Sequence, residues 1–265
     1  MTTLGVIFPP DLPPERLRSV ALAADRYGLE QLWVWEDCFK ESGIAAAAAV
    51  LAWTEQLTVG IGLLPVPLRN VALTAMEIAT VERLFPGRLV PGVGHGVLEW
   101  MAQVGARAES PMTLLREYTT ALRSLLHGET VTTSGRYVQL DGVALDWPPT
   151  SAPPLLVGAV RERTVALAGE LGDGVILTGE TTPEALRDAV PHLLAGRAGA
   201  GREGSADVVV FMPIQGPLEA SDVAERVDTF VSAGATHVIL HDVGDAGPLE
   251  DVVRFVAQDV RPLVT

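Results

Sequence analysis

The chain of 265 residues is 48% hydrophobic and 20% charged, with a formal net charge of −14 at neutral pH. That balance excludes intrinsic disorder, and the longest uncharged apolar run, Gly43 to Trp53, is too short to cross a bilayer. Eighteen arginines and a single lysine, Lys40, are scattered with no basic stripe to displace phosphate counterions, so nucleic acid is ruled out as the main partner, and an acidic surface repels anionic membranes.

The amino terminus runs straight into Leu4-Gly5-Val6-Ile7-Phe8 with no basic region or cleavage site, so no signal peptide is expected. One cysteine, Cys38, permits neither a disulfide framework nor a cysteine metal site, and the chain reads as cytoplasmic. Runs rich in β-branched residues recur and predict strands at Leu4–Phe8, Gln31–Trp35, Leu57–Leu63, Arg88–Val93, Pro154–Gly158, Gly174–Thr178, Asp207–Pro213 and Thr236–Asp242.

Helical patterns lie between them. The first enters through Pro13-Pro14-Glu15, repeats Leu17, Val20, Ala21 and Ala24, and stops at Gly28. Others are predicted from Val71 to Leu84, from Ser110-Pro111 to Gly128, from Thr182-Pro183-Glu184 onward, from Ser221 to Gly234 and from Leu249 to Val260. Nearly continuous apolar strands, each followed by an amphipathic helix, predict a parallel sheet covered by helices. Eight such units of about 33 residues match a single (β/α)8 barrel over residues 1–265. One segment breaks the rhythm: Thr130-Val131-Thr132 and Tyr137-Val138-Gln139-Leu140 flank Ser134-Gly135-Arg136 and predict a hairpin inserted before strand five.

In that fold the chemistry sits on loops after the strands. The predicted rim carries Phe8-Pro9-Pro10, Trp35-Glu36-Asp37-Cys38, Gly62-Leu63-Leu64-Pro65, Gly92-Val93-Gly94-His95-Gly96, Gly158-Ala159-Val160-Arg161-Glu162-Arg163, Thr178-Gly179-Glu180, Met212-Pro213 and His241-Asp242. It offers glycines for close backbone approach, indole and apolar surface, and few titratable groups. It has no His/His/Asp set at metal-ligand spacing, so no metal is expected, and no Gly-x-Ser-x-Gly nucleophile elbow. Gly92-x-Gly94-x-Gly96 is not the dinucleotide fingerprint, because its third glycine comes too early.

Leu57–Asn70, the stretch Ala75-Met76-Glu77-Ile78-Ala79-Thr80 to Phe85-Pro86-Gly87-Arg88, and Gly92–Gly96 together resemble the bacterial luciferase-like superfamily. The chain is more similar to the branch that uses the deazaflavin coenzyme F420, such as methylenetetrahydromethanopterin reductase and deazaflavin-dependent glucose-6-phosphate dehydrogenase. The resemblance continues through Pro154–Gly158 and Leu167–Gly174 and covers nearly the whole chain in order. It implies a barrel holding a deazaflavin or flavin over its carboxyl-terminal face, a small-molecule substrate and a homodimer.

Residue by residue, the resemblance implies a cis peptide at Gly62–Leu63 against the cofactor ring and puts His95 and Gly96 beside it. It implies that the amino terminus of the helix after strand five, through Gly158, Ala159, Val160, Arg161 and Arg163, takes the cofactor phosphate. Arg161-Glu162 stands where relatives commonly have Gly-Pro, a departure that leaves the phosphate geometry open. Phe8 and Thr178 complete the implied cofactor contacts. Glu36-Asp37 stands where relatives often have Asp-His, so Glu36 is expected near the ring and Asp37 is the candidate to replace the histidine in proton transfer. Glu36, Asp37 and His95 are therefore the candidate catalytic residues, against a bland reading of Glu36-Asp37 as a helix cap and of His95 as a loop histidine.

His127 suits a helix's last turn, His192 an exposed helix face, and His237 enters strand eight from the wrong end. His241 is at the right end but is one residue. Trp33 and Trp35 face one side and read as core before platform. The functions weighed are F420-dependent hydride transfer to or from a small organic substrate, an FMN-dependent monooxygenase, and a cofactor-binding barrel without turnover.

Overall fold

A computed structural model of the protein describes residues 2–177, 181–217, 219–244 and 246–264. The first half contains β1 (Thr3–Phe8), α1 (Leu17–Tyr27), β2 (Gln31–Val34), α2 (Gly43–Trp53), β3 (Thr58–Pro65), α3 (Val71–Leu84) and β4 (Leu89–Gly94). Then come α4 (Leu98–Gln103), α5 (Pro111–Leu126) and an antiparallel hairpin of β5 (Val131–Ser134) and β6 (Gln139–Val143). The second half contains β7 (Leu156–Ala159), α6 (Glu162–Leu171), β8 (Gly174–Leu177), α7 (Pro183–Gly199), β9 (Asp207–Ile214), α8 (Ala220–Ser232), β10 (His237–Asp242) and α9 (Leu249–Arg254).

Eight strands close a parallel barrel in the order β1-β10-β9-β8-β7-β4-β3-β2, and the hairpin sits just before the fifth barrel strand, β7, as the sequence predicts. Strand boundaries fall within two residues of the predicted ones; the end of predicted strand six, Thr178, lies outside the described residues. Local chemistry explains the helix ends. The Asn70 side chain accepts from Ala72 N (2.9 Å) to open α3, Thr182 accepts from Ala185 N (3.2 Å) to open α7, and Gly28, at φ 73°, closes α1 in the left-handed region.

The short helix α4 falls in a segment the sequence reads as loop. It is six residues pinned by one wholly buried side chain, Met101, too short to show a helical repeat. Among the described residues no helix is long and apolar enough to cross a membrane.

Alternation along the strands sends one set of side chains into the barrel: Ile7, Trp33, Val90, Leu156, Ile176, Val209, Phe211 and Ile239. The alternate set, Val6, Phe8, Leu32 and Val34 among them, faces outward under the helices. Trp33 fills the space that β3 leaves empty, since a Cβ on Gly60 would lie 2.2 Å from its ring. The barrel is thus a packed core capped by Phe211 and Trp35.

Charged side chains tie the amino-terminal ends of the strands. Asp25 accepts from Glu55 N, Gln56 N and Leu57 N at 3.1, 2.9 and 2.9 Å. Arg88 donates to Leu57 O (2.9 Å), Thr54 O (3.0 Å) and Thr54 Oγ1 (2.7 Å). Asp173 accepts from Leu155 N (3.0 Å), Arg123 (2.9 Å) and Arg202 (2.6 Å). Burial alone would raise the Asp173 carboxyl; the Leu155 N–H and the two guanidiniums hold it below its usual range.

Candidate active site

A cavity of about 1560 Å³ opens at the carboxyl-terminal ends of the strands, larger than a typical single small-molecule pocket. Its walls include Glu36, Asp37, Gly62, Leu63, His95, Gly96, Gly158, Val160, Arg161 and Arg163, ten of the residues singled out from the sequence. Phe8 and Ala159 are not among them. Each is the outward residue of its strand, one past an inward Ile7 or Gly158, and each is buried between barrel and helices. Phe8 therefore supports the wall from behind.

At the end of β3 the register with β4 shifts between Ile61 and Leu64, and the Gly62–Leu63 peptide is cis, as is Cys38–Phe39. A Cβ at Gly62 would come within 2.9 Å of Phe211 and one at Gly94 within 2.6 Å of Leu63, so both glycines are needed for this close approach.

Glu36 and Asp37 follow β2 but have different surroundings. Both Glu36 carboxylate oxygens are occupied: one accepts from Arg69, the other from Gly43 N at 2.8 Å, at the start of α2. Arg69 also donates to Glu77 on α3 at 3.1 Å, so the Glu36–Arg69–Glu77 chain pins the loops after β2 and β3 to each other. Asp37 has no such clamp. Burial pushes its carboxyl above the usual range, with Lys40 drawing it back. Cys38 is a half-buried rim residue whose thiol is pushed up by burial and by Glu36 and Asp37, which opposes thiolate chemistry.

His95, after β4, is half-buried; burial pushes its imidazole below the usual range, and its Nδ1 is buried with no hydrogen-bond partner among the described residues. Trp35 Nε1 is also orphaned. At the far wall, Thr164 N and Val165 N are taken by Arg161 O at 2.8 and 2.9 Å, opening α6 toward the cavity. Arg161 and Arg163 are exposed there and pair with no carboxylate among the described residues, while Glu162 lies 3.8 Å from His192.

The remaining histidines follow their sequence positions. His127 Nδ1 is 2.8 Å from Arg123 O at the end of α5, and His237 Nδ1 is 2.9 Å from Thr236 Oγ1 at the amino-terminal end of β10. His241 lines the cavity, its ring centroid 4.8 Å from that of Trp35. The sequence reading assigned the tryptophans to the core. Trp33 is there, but Trp35 lines the cavity with Phe211, Trp100 and Met112. Strand alternation contains the signal for Phe211, which is two residues past the inward Val209. Among the described residues no cluster of His, Cys, Asp or Glu suits a metal ion.

These observations fit a large, flat cofactor with an anionic tail. Glycine backbone lines it at Gly62, Gly96 and Gly158, and two arginines with no carboxylate partner among the described residues and a helix amino terminus face it from α6.

Comparison with known proteins agrees with this geometry. The family model described as luciferase-like monooxygenase matches residues 2–250. A 5,10-methylenetetrahydromethanopterin reductase of Methanolobus tindarius is 28% identical over 97% of this chain and 79% of its own length. An F420-dependent glucose-6-phosphate dehydrogenase of Nocardia farcinica is 27% identical over 93% of this chain and 81% of its own. The solved coenzyme F420 dependent tetrahydromethanopterin reductase from Methanopyrus kandleri superposes with a TM-score of 0.86 at 19% identity, covering 100% of this chain and 99% of that one, a likeness of fold. The chain belongs to the luciferase-like monooxygenase family.

Proposed function

We propose that the chain, acting over residues 1–265 as one barrel domain, is a cytoplasmic coenzyme F420-dependent oxidoreductase acting on a small organic substrate. The observation that supports this most is the cavity itself, roomy enough for cofactor and substrate together and edged on one side by Arg161 and Arg163. The F420-dependent glucose-6-phosphate dehydrogenase of Nocardia farcinica, matched along nearly the full chain, supports the deazaflavin over FMN.

Bound in the cavity, the deazaflavin supplies hydride transfer to or from carbon. The protein's own residues supply position and protons. Arg161, Arg163 and the free N–H groups at the start of α6 hold the anionic tail. Gly62, Leu63, Gly96 and Gly158 line the bed for the ring. His95, whose imidazole burial pushes down, and Asp37, whose carboxyl burial pushes up, are the groups on the cavity wall placed to accept or release one proton. Glu36, with both oxygens engaged, serves to fix the loops and not to move a proton.

The test is turnover under air and without oxygen, with reduced F420 and separately with reduced FMN, across a panel of alcohols, ketones and enones. Oxygen-independent turnover with F420 alone is expected. Peroxide or oxygenated product with FMN alone overturns the assignment in favour of a monooxygenase, and tight F420 binding without turnover on any substrate would favour a binding protein.

We further infer a homodimer. The outward face of α2 and α3 presents Ala45, Ala52, Trp53, Leu73, Met76 and Leu84 to solvent, and α2 has no charged residue along its length. A second copy covering this face accounts for it. Sedimentation velocity should show a dimer that Met76→Glu converts to monomer; a monomeric wild type at micromolar concentration contradicts it.

A further inference from the structure

The cavity is electrostatically polarised across the barrel. β7 stands four places from β1 in either direction around the closed sheet, so the loops after β1, β2 and β10 face the α6 edge from the opposite side. The α6 edge carries the two unpaired arginines. The opposite edge carries Asp37 on the cavity wall, with Asp11, Glu41 and Asp242 behind it, and Lys40, the one cation among the described residues of these loops, is paired with Asp11. These groups lie within electrostatic reach of one another: Asp11 acts on Asp37, Glu41 and His241, and Asp242 acts on His241.

Beneath that rim is an aromatic shelf. Trp35 meets Phe211 at 5.3 Å between ring centroids and His241 at 4.8 Å, and all three line the cavity beside Pro213 and Val243. The buried indole N–H of Trp35 has no acceptor among the described residues. A flat apolar face stacks on such a shelf, and an anion is repelled by the carboxylates around it.

We propose that the substrate occupies the Phe211–Trp35–His241 shelf and is an uncharged alcohol or carbonyl compound with an apolar or aromatic face, phosphate- and carboxylate-bearing molecules being repelled by Asp37 on the wall and by the charges of Asp11 and Asp242 behind it. The inference rests on the cavity being the active site. It separates this chain from a dehydrogenase of sugar phosphates such as the Nocardia farcinica relative, whose named substrate is an anion. The arginines that line the cavity are both at the α6 edge, where the proposed cofactor's tail would lie, and the opposite edge achieves selectivity as much by excluding charge as by attracting the right ligand.

Benzyl alcohol, benzoate and benzyl phosphate share a ring and differ in charge, so their dissociation constants test the proposal directly. Ligand-observed NMR reads them in the F420-loaded protein, and again in the full-length apoprotein carrying Arg161→Gln and Arg163→Gln, which removes the cationic edge. In both, benzyl alcohol is expected to bind at least roughly tenfold more tightly than either anion at low ionic strength. Asp11→Asn removes one carboxylate and releases Lys40, and should narrow that ratio by about threefold or more. Trp35→Ala removes the largest ring of the shelf and should weaken benzyl alcohol by about fivefold. Anions binding as tightly as the alcohol, a ratio unmoved by Asp11→Asn, or no binding of benzyl alcohol each overturn the proposal. F420 fluorescence titrated in parallel keeps the two readings apart: failure of the cofactor to bind overturns the proposed function, while the probe ratio in the arginine-free apoprotein still decides the substrate class.

Discussion

The two ends of this barrel use charge in opposite ways. At the amino-terminal end Asp25, Arg88 and Asp173 each meet two or more partners, backbone groups prominent among them. At the carboxyl-terminal end burial raises Asp37 and Glu41, and among the described residues Arg161 and Arg163 go unpaired and three of the six buried polar side-chain atoms without partners belong to Trp35, Glu41 and His95. The other three, on Glu82, Thr119 and Arg197, lie on the surrounding helices, so lack of a partner is not confined to the cavity. What distinguishes the upper end is that Trp35, Asp37, His95, Arg161 and Arg163 all line one cavity. Satisfied charge makes the lower end a clamp, and unsatisfied charge makes the upper end a receptor.

The contrast can be broken from either side. Asp37→Asn and His95→Asn should each lower kcat by about 100-fold or more in steady-state assays, the usual cost of losing a general acid or base. Neither should lower thermal stability at pH 7. A carboxyl whose folded pKa is raised contributes stability below its unfolded pKa and loses it as pH rises through the folded one, so ionised Asp37 is a burden at neutral pH that asparagine removes. A large drop in the melting temperature of Asp37→Asn would contradict this division.

Asp173→Ala is the reverse case. Removing the acceptor shared by Arg123, Arg202 and Leu155 N should cost about 3 kcal/mol in urea unfolding while F420 affinity holds. Because the folded Asp173 pKa is depressed, its contribution is complete above the unfolded value and fades as pH falls through the folded one. The stability gap between wild type and Asp173→Ala should therefore close in acid, and a gap that is constant with pH would show the ion pairs to be idle.

Gly60→Ala tests the floor between the two ends. A Cβ there lies 2.2 Å from the Trp33 ring, so the substitution should cost about 2 kcal/mol by overpacking. Arg69→Gln is the mildest change, about 1 kcal/mol in denaturant, since Arg69 is largely covered but on the rim. It should still reduce kcat several-fold by freeing Glu36 and the loops it pins, and Arg69→Lys should recover part of that loss. Equal activity in Arg69→Gln and wild type would remove the buttress from the account.

The barrel was legible in the sequence because its signals are local and repeated. Val71–Leu84 is predicted and observed over the same residues, and the hairpin announces itself by Ser134-Gly135-Arg136 between alternating runs. The cavity's lining was legible where position on the rim decides it, as at Asp37, His95 and Arg161. Phe8 was misplaced because one step along a strand reverses the face, and the strand ends were read without that parity. Arg69 was read only as part of the loop after strand three: a partnership spanning 33 residues to Glu36 has no local trace in sequence. Trp35 was harder still, because a tryptophan two residues beyond a buried one reads equally as core or as wall until the height of the barrel's filling is known.

The most direct test of the central claim is equilibrium titration of the apoprotein with F420 and, separately, with FMN, followed by tryptophan quenching and cofactor fluorescence. The account predicts micromolar or tighter binding of F420, weaker binding of FMN, and a loss of F420 affinity of about tenfold or more when Arg161 and Arg163 are both replaced by glutamine. Preference for FMN, or a folded protein that binds neither, would contradict it.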